Sequence, residues 1–473
     1  MTLASPVFLA FLLAVLLIYR GASRFGRTGL FAITLASLAF YATWNPLLCL
    51  PLLATATWDY LMCRALGRTE RAGVRRALVT ASLALDLSVL GFFKYFNFFA
   101  EPALDLWRAG GGQSYEILFR AGMAVGLSFY TFQSLSCVLD VYRKDQEPPR
   151  SWLEYLAFVS FFPTLLAGPI TRAETLLPQF RMGAKPLDGE TCGKALFLIT
   201  LGFFKKLVLA DTIALQLTGR VFELPGMYSS LEVLAGIYGY AAQIYCDFSG
   251  YSDIAIGSAL LLGISLKDNF DSPYRSADLS EFWRRWHISL STWLRDYLFF
   301  SLPGKRPGTP WPYLNIAVTF TLGGLWHGAS WTYVLWGLAH GLGLAFMRLL
   351  QMRRRGRPAV RPAWRTVLGV FLTFHFVAFT WLFFRCANLE QVGEVLRRLG
   401  ALTTTTANLP TAALLAAGAA ILAQWAPKEL YGRSLRSFVA LPAPGQAALI
   451  LGAALAIHAA GTASVSPFIY FQY

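Results

Sequence analysis

The chain has 473 residues, 56% of them hydrophobic and only 14% Asp, Glu, Lys or Arg, where an average soluble domain carries about 25% charged residues. The apolar residues form long blocks, as at 6–19, 78–99 and 447–460, which excludes a soluble globular enzyme and a disordered chain and leaves a polytopic membrane protein. The 41 basic and 26 acidic residues give a net charge of +15, but the basic residues lie between apolar blocks and form no aromatic-interleaved patch. That pattern is the Lys/Arg bias of cytoplasmic loops and not a nucleic-acid-binding surface.

In chain order, the first apolar run has no basic residue before it, and Arg20, Arg24 and Arg27 follow it. This predicts a retained first span with its N-terminus outside and no cleavable signal peptide. Residues 29–63 are broken at Trp44-Asn45-Pro46 and predict a hairpin, which returns to a basic loop holding Arg64, Arg68, Arg71, Arg75 and Arg76. Residues 78–99 cross outward and 119–141 cross back to Arg143-Lys144. The apolar stretch 152–170 is interrupted by Pro163, Gly168 and Pro169, a pattern tolerated only where backbone is buried in protein or lines a cavity.

Residues 192–217, 231–246 and 254–266 predict further spans, and 268–305 is charged with an aromatic face. The stretch 318–347 has basic residues on both flanks and therefore reads as a hairpin from the cytoplasm. Residues 366–384 lead outward, 412–423 return, and 447–460 lead out again, which sets 461–473 outside. No internal repeat, soluble domain or long linker is visible. The reading is one integral-membrane domain over 1–473, with a core at 119–385 and an extracytoplasmic segment at 461–473.

Five histidines are present. His340, His375 and His458 are expected in packing roles. His327 lies in Leu322-Gly323-Gly324-Leu325-Trp326-His327-Gly328-Ala329-Ser330-Trp331, where glycines allow close backbone approach and tryptophans supply flat apolar walls. A neutral imidazole there can act as a general base, since burial disfavours its charged form. A hydrogen-bonded core histidine at a helix contact explains the residue equally well at this point.

A second constellation runs Asp278-Leu279-Ser280-Glu281-Phe282-Trp283-Arg284-Arg285-Trp286-His287 and on to Trp293-Leu294-Arg295-Asp296-Tyr297. Ser280 is positioned to cap a helix whose Trp283, Trp286, Leu290, Trp293 and Leu294 share one face. An interfacial amphipathic helix and a cytoplasmic lip whose arginines hold donor phosphates are compatible readings. The third is Tyr245-Cys246-Asp247-Phe248-Ser249-Gly250-Tyr251-Ser252-Asp253, where two carboxylates six apart predict a polar break. Structural pairing with an Arg or with backbone is the favoured reading over a metal or proton-relay pair. The six cysteines (Cys49, Cys63, Cys137, Cys192, Cys246, Cys386) form no CxxC pair, so neither a disulfide framework nor a metal site is expected. There is no HExxH, G-x-S-x-G or phosphate loop.

These motifs resemble the membrane-bound O-acyltransferase family, in particular the bacterial branch that O-acetylates exported polysaccharides such as alginate. The resemblance is carried, in order, by Gly91-Phe92-Phe93-Lys94-Tyr95-Phe96-Asn97-Phe98-Phe99, by Gly126-Leu127-Ser128-Phe129-Tyr130-Thr131-Phe132-Gln133 and by Phe161-Phe162-Pro163 with Ala167-Gly168-Pro169-Ile170. The segments 247–253, 282–287 and 323–331 complete it. It implies an all-α fold, a ring of about ten to thirteen tilted, partly broken helices around a transmembrane tunnel.

It further implies that His327 is the catalytic histidine and His287 the second active-site residue, with Arg284, Arg285, Trp286, Asp247 and Trp326 binding donor or substrate. The donor is implied to be acetyl-CoA or a related acyl thioester, with no permanently bound cofactor and no metal. The implied setting is the lipid of a bacterial inner membrane, with an extracytoplasmic SGNH-type acetyltransferase as partner. The turn Pro303-Gly304-Lys305-Arg306-Pro307-Gly308 departs from the Gly-Gly-Asn-like turn of the branch.

The terminal Pro467-Phe468-Ile469-Tyr470-Phe471-Gln472-Tyr473 reads first as an aromatic anchor at the outer membrane boundary. Related tails in the branch share a Phe-x-Tyr-Phe pattern, which implies instead an acyl acceptor at Tyr470, with Tyr473 second. A transporter or channel without acyl-transfer chemistry is the alternative for the whole chain, since broken helices and buried carboxylates serve it equally.

Overall fold

The computed structural model describes residues 1–23, 27–110, 125–183, 185–304, 309–353, 362–460 and 466–471, the side chains of 97, 101, 102, 353, 460 and 471 excepted. Among the described residues the regular structure is entirely helical. Four helical stretches there are long and apolar enough to cross a membrane: Pro46–Leu66, Ala72–Phe96, Trp331–Met352 and Ala363–Arg385. Shorter apolar helices include Pro6–Ala22, Thr28–Ala42, Thr411–Trp425 and Ala443–Ala459. The protein is an all-α polytopic membrane protein. The chain divides into two compact units, one of Met1–Leu187 with Ser258–Leu266 and one of Asp188–Gly257 with Lys267–Tyr473.

In the first unit, local chemistry sets the helix ends. Ser5 Oγ accepts from Phe8 N at 3.3 Å and Pro6 opens the Pro6–Ala22 helix. The break at Trp44-Asn45-Pro46 is where Asn45 Oδ1 accepts from Leu47 N at 2.9 Å, between the Thr28–Ala42 and Cys49–Leu66 helices. The Ala72–Ala109 helix has 38 residues. At 1.5 Å per residue it is about 57 Å long, nearly twice a hydrocarbon core of about 30 Å.

Arg75 belongs to the expected cytoplasmic loop but is only 7% exposed. Its guanidinium donates to the carbonyls of Thr69 (3.1 Å), Val141 (3.0 Å) and Tyr142 (2.7 Å), closing the C-terminal turn of the Leu127–Arg143 helix. An always-charged fork suits the orphan carbonyls of a helix end. The interrupted stretch after position 152 is a Trp152–Ser160 helix and a separate turn at Phe162–Leu165.

In the second unit, Asp188 Oδ1 accepts from Thr191 N at 2.7 Å and starts the Gly189–Phe203 helix. The helix then widens into i→i+5 turns at Phe204–Ala210 and Ala214–Thr218, on either side of Asp211–Ile213. The polar break expected between Asp247 and Asp253 does not occur. Ser230–Leu261 is one continuous helix of 32 residues. Its carboxylates are neutralised from the widened stretch, Asp253 by Lys205 at 2.7 Å and Asp247 by Lys206 at 2.8 Å. A Cβ added to Gly250 would lie 2.7 Å from the carbonyl of Gly202, so the two backbones touch there.

The stretch 318–347 is a hairpin, as expected, formed by the Trp311–His327 and Trp331–Arg353 helices. Beyond it, Ala363–Arg385 is followed by two amphipathic helices that hydropathy did not signal, Leu389–Gly400 and Lys428–Val439.

Candidate functional site

The site is built in the second unit, from the hairpin outward. Glycines let the two helices pack backbone to backbone. A Cβ on Gly324 would lie 2.2 Å from the Tyr333 carbonyl, and one on Gly337 would lie 2.2 Å from that of Phe320. His327 is the last residue of its helix, followed by Gly328 in extended conformation, and is 6% exposed. Aromatic rings surround it, with centroids at 4.9 Å (Trp326), 5.2 Å (Trp336), 5.1 Å (Phe384) and 5.5 Å (Tyr470). The sequence motif thus becomes an imidazole walled by π surfaces, with a phenol as one wall.

His287 joins the same cluster. A single helix capped by Ser280 and carrying all the tryptophans on one face is not what forms. Asp278 is the cap, its Oδ1 accepting from Glu281 N at 2.8 Å, and two short helices, Leu279–Arg285 and Ile288–Trp293, meet at Trp286-His287. His287 sits at the break with φ +43°, a left-handed conformation costly for a residue with a Cβ.

Asn269 fixes the histidine's tautomer. Its Oδ1 accepts from the backbone N–H of Ser289 at 3.1 Å, which orients the amide, and also from Ser289 Oγ at 2.9 Å. The same oxygen lies 3.3 Å from His287 Nδ1. An amide oxygen only accepts, so Nδ1 carries the proton and Nε2 holds the lone pair. The His287 ring packs edge-on to Phe248 at 4.6 Å and lies 6.5 Å from the Tyr470 ring.

Tyr470 is thus flanked by both histidines. It also packs on Phe248 at 4.6 Å, and Phe468 stacks on Tyr251 at 4.5 Å. Asp247 reaches this segment as well, its Oδ2 accepting from Ile469 N at 2.8 Å. Pairing with backbone was one expectation for Asp247, and the other partner is Lys206 instead of an arginine. Neither Lys206, Asp211 nor Asn269 was singled out in the sequence. The available signal was the pair Lys205-Lys206 inside an apolar stretch, where an uncompensated ammonium is costly.

The remaining predicted positions lie apart from the two imidazoles or serve as walls. Trp286 is 1% exposed and stacks on Phe282 at 5.7 Å, a core ring. Arg284 is exposed. Arg285 is held by Glu281 at 2.9 Å and Asp271 at 3.3 Å. Tyr473 lies outside the described residues. Of the other histidines, His340 is fully buried, its Nδ1 accepting from Trp283 Nε1 at 3.3 Å and its Nε2 meeting Thr380 Oγ1 at 2.9 Å. His375 Nδ1 donates to the Phe371 carbonyl at 2.7 Å. His458 is exposed on the Ala443–Ala460 helix and not packed as expected. Among the described residues no group of three or more His, Cys, Asp or Glu side chains is arranged to hold a metal.

The model of the membrane-bound O-acyltransferase family matches residues 148–389, just over half the chain, including His287 and His327. A probable alginate O-acetylase of Pseudomonas aeruginosa is 39% identical over 395 residues, covering 82% of this chain and 73% of that protein. A peptidoglycan O-acetyltransferase of Helicobacter pylori is 34% identical over 390 residues, 77% of this chain and 72% of its own length. A teichoic acid D-alanyltransferase of Bacillus subtilis is 30% identical over 276 residues, 55% of this chain and 68% of its own. With all-helical structure, apolar helices of spanning length and these long matches, the chain belongs to the membrane-bound O-acyltransferase family and is an acyltransferase.

Proposed function

We propose that the protein takes an acetyl group from a cytoplasmic acetyl-CoA or related acyl thioester and delivers it across a bacterial inner membrane for O-acetylation of an exported polysaccharide such as alginate. Tyr470 is the acyl carrier and His327 its base. The observation that carries this reading is the Tyr470 ring packed 5.5 Å from the His327 ring inside one aromatic enclosure. A phenol has a reference pKa of about 10 and is a poor nucleophile until a base takes its proton.

In the first transfer the Tyr470 oxygen attacks the thioester carbon while His327 takes the phenolic proton. The carbon–sulfur bond then breaks, and the proton passes to the leaving thiolate. Tyr470 is left as an acetate ester and the donor as a free thiol. In the second transfer an acceptor hydroxyl attacks that ester, its proton returns to the phenolate oxygen, and Tyr470 is regenerated. His287, with its lone pair at Nε2, is the second acid–base group.

Trp336 is 2% exposed, and its buried indole N–H has no acceptor among the described residues. Its ring lies against His327, so it is the candidate donor to the tetrahedral oxyanion. Arg284, whose side chain is exposed, supplies positive charge for the donor's phosphates, while Arg285 next to it in sequence is held by Glu281 and Asp271. The final hydroxyl is reached through an extracytoplasmic SGNH-type partner. Glycan acetate in cells carrying Tyr470→Phe tests the reading. Loss of acetate with normal protein level is expected, and full acetylation overturns the carrier role.

A further inference from the structure

We infer that Lys206, Asp211 and Asp247 form a backbone-reading dock that holds segment 466–471 and thereby positions Tyr470 against His327. The inference rests on the Tyr470 reading for its catalytic consequence, and the docking itself stands independently. All three side chains are buried, at 3%, 2% and 1% exposure. Lys206 Nζ lies 2.8 Å from Asp211 Oδ1 and 2.8 Å from Asp247 Oδ1. The widened turns bring residues five apart in sequence together, which lets Lys206 reach Asp211 from the same helical stretch.

One ammonium facing two carboxylates leaves a net charge of −1 in a buried site, and such a charge is costly unless hydrogen-bonded. The segment supplies a donor. Ile469 N donates to Asp247 Oδ2 at 2.8 Å. The third ammonium contact is also to the segment, Lys206 Nζ donating to the Ser466 carbonyl at 2.8 Å. Both segment contacts are to main chain, at Ser466 and Ile469, so the cluster reads the segment's backbone and not its side chains.

The side chains are sorted by the same helix that carries Asp247. One turn on from Asp247, Tyr251 stacks on Phe468 at 25° between planes, while the adjacent Phe248 receives Tyr470. Ile469 points into the core and is 2% exposed. Asp247 therefore fixes the register, and the rings on either side of Ile469 follow. Among the described residues no hydrogen bond or ion pair joins Lys206 or Asp211 to either histidine, and the two act as positioning residues.

Hydrogen exchange of the full-length chain in detergent, read by mass spectrometry on peptides covering 466–471, tests the dock. Removing the ammonium with Lys206→Met should speed exchange there about tenfold or more, while peptides from the Trp311–Arg353 hairpin exchange as in the parent. Lys206→Arg, which keeps the charge, should recover much of the protection. Ile469→Pro deletes the N–H that Asp247 accepts while leaving the Lys206–Asp211 pair in place, and should also release the segment, which decides the matter if Lys206→Met fails to fold. Unchanged protection in Ile469→Pro and in a folded Lys206→Met overturns the dock. A released segment with glycan acetylation at the parent rate leaves the dock standing and overturns the Tyr470 carrier reading.

Discussion

Replacing Asn269 with alanine removes the one oxygen that accepts from Ser289 N, Ser289 Oγ and His287 Nδ1. Asn269 is 1% exposed, so no bulk water stands in for the lost acceptor. Each buried donor left without its acceptor costs about 1–3 kcal/mol, and the imidazole recovers part of this by moving its proton to Nε2. That tautomer removes the lone pair from Nε2. A bias of about 1.4 kcal/mol shifts a tautomer ratio tenfold, and a general base contributes about 10²- to 10⁴-fold in all. The expected fall in kcat for Asn269→Ala is therefore about 10- to 100-fold, with donor KM changed less than about twofold. The assay is acyl transfer in proteoliposomes with the melting temperature measured in parallel. Asn269→Asp keeps an acceptor oxygen and should recover part of the rate. Parent kcat in a folded Asn269→Ala protein refutes the tautomer argument.

The hairpin glycines give a paired prediction. Gly337→Ala puts a Cβ 2.2 Å from the Phe320 carbonyl and should lower the thermal inactivation temperature, as overpacking of about 1–3 kcal/mol does. Gly393→Ala meets nothing within 4 Å in the Leu389–Gly400 helix and should raise it, by about 0.5–1 kcal/mol of helix propensity. Arg284→Gln should raise the donor KM more than it lowers kcat, because that guanidinium is exposed; a purely lipid-anchoring role would reduce protein in the membrane and leave KM alone. In a chain freed of native cysteines, Arg353→Cys should react with an impermeant thiol reagent only after the cytoplasmic face is opened, and labelling in intact cells would contradict the positive-inside map.

Much of the fold was legible because apolar length and charge asymmetry govern membrane helices directly. Asn45-Pro46 marked a real helix boundary, and the glycines near His327 marked a real backbone contact, Gly324 against the Tyr333 carbonyl. The continuous helix through Asp247 and Asp253 was hidden, because two carboxylates look like a break until their lysines, some 40 residues earlier, are known to face them. The amphipathic helices at Leu389–Gly400 and Lys428–Val439 carry too many charges to register as apolar blocks. Asn269 left no pattern at all. Its role depends on a left-handed turn at His287 that returns the chain beside it, with Ile288 N donating to the Asn269 carbonyl at 3.0 Å. Tertiary closure, not local propensity, made that contact.

The central claim is that His327 activates Tyr470 for acyl transfer. Purified protein is incubated with acyl thioester and no acceptor, and acetyl occupancy on the peptide containing Tyr470 is measured by mass spectrometry in the parent and in His327→Ala. An added acetyl on Tyr470 is expected in the parent and none in His327→Ala at equal folded amounts. Equal occupancy in the two proteins, or a parent that transfers acetate while Tyr470 is never modified, contradicts it.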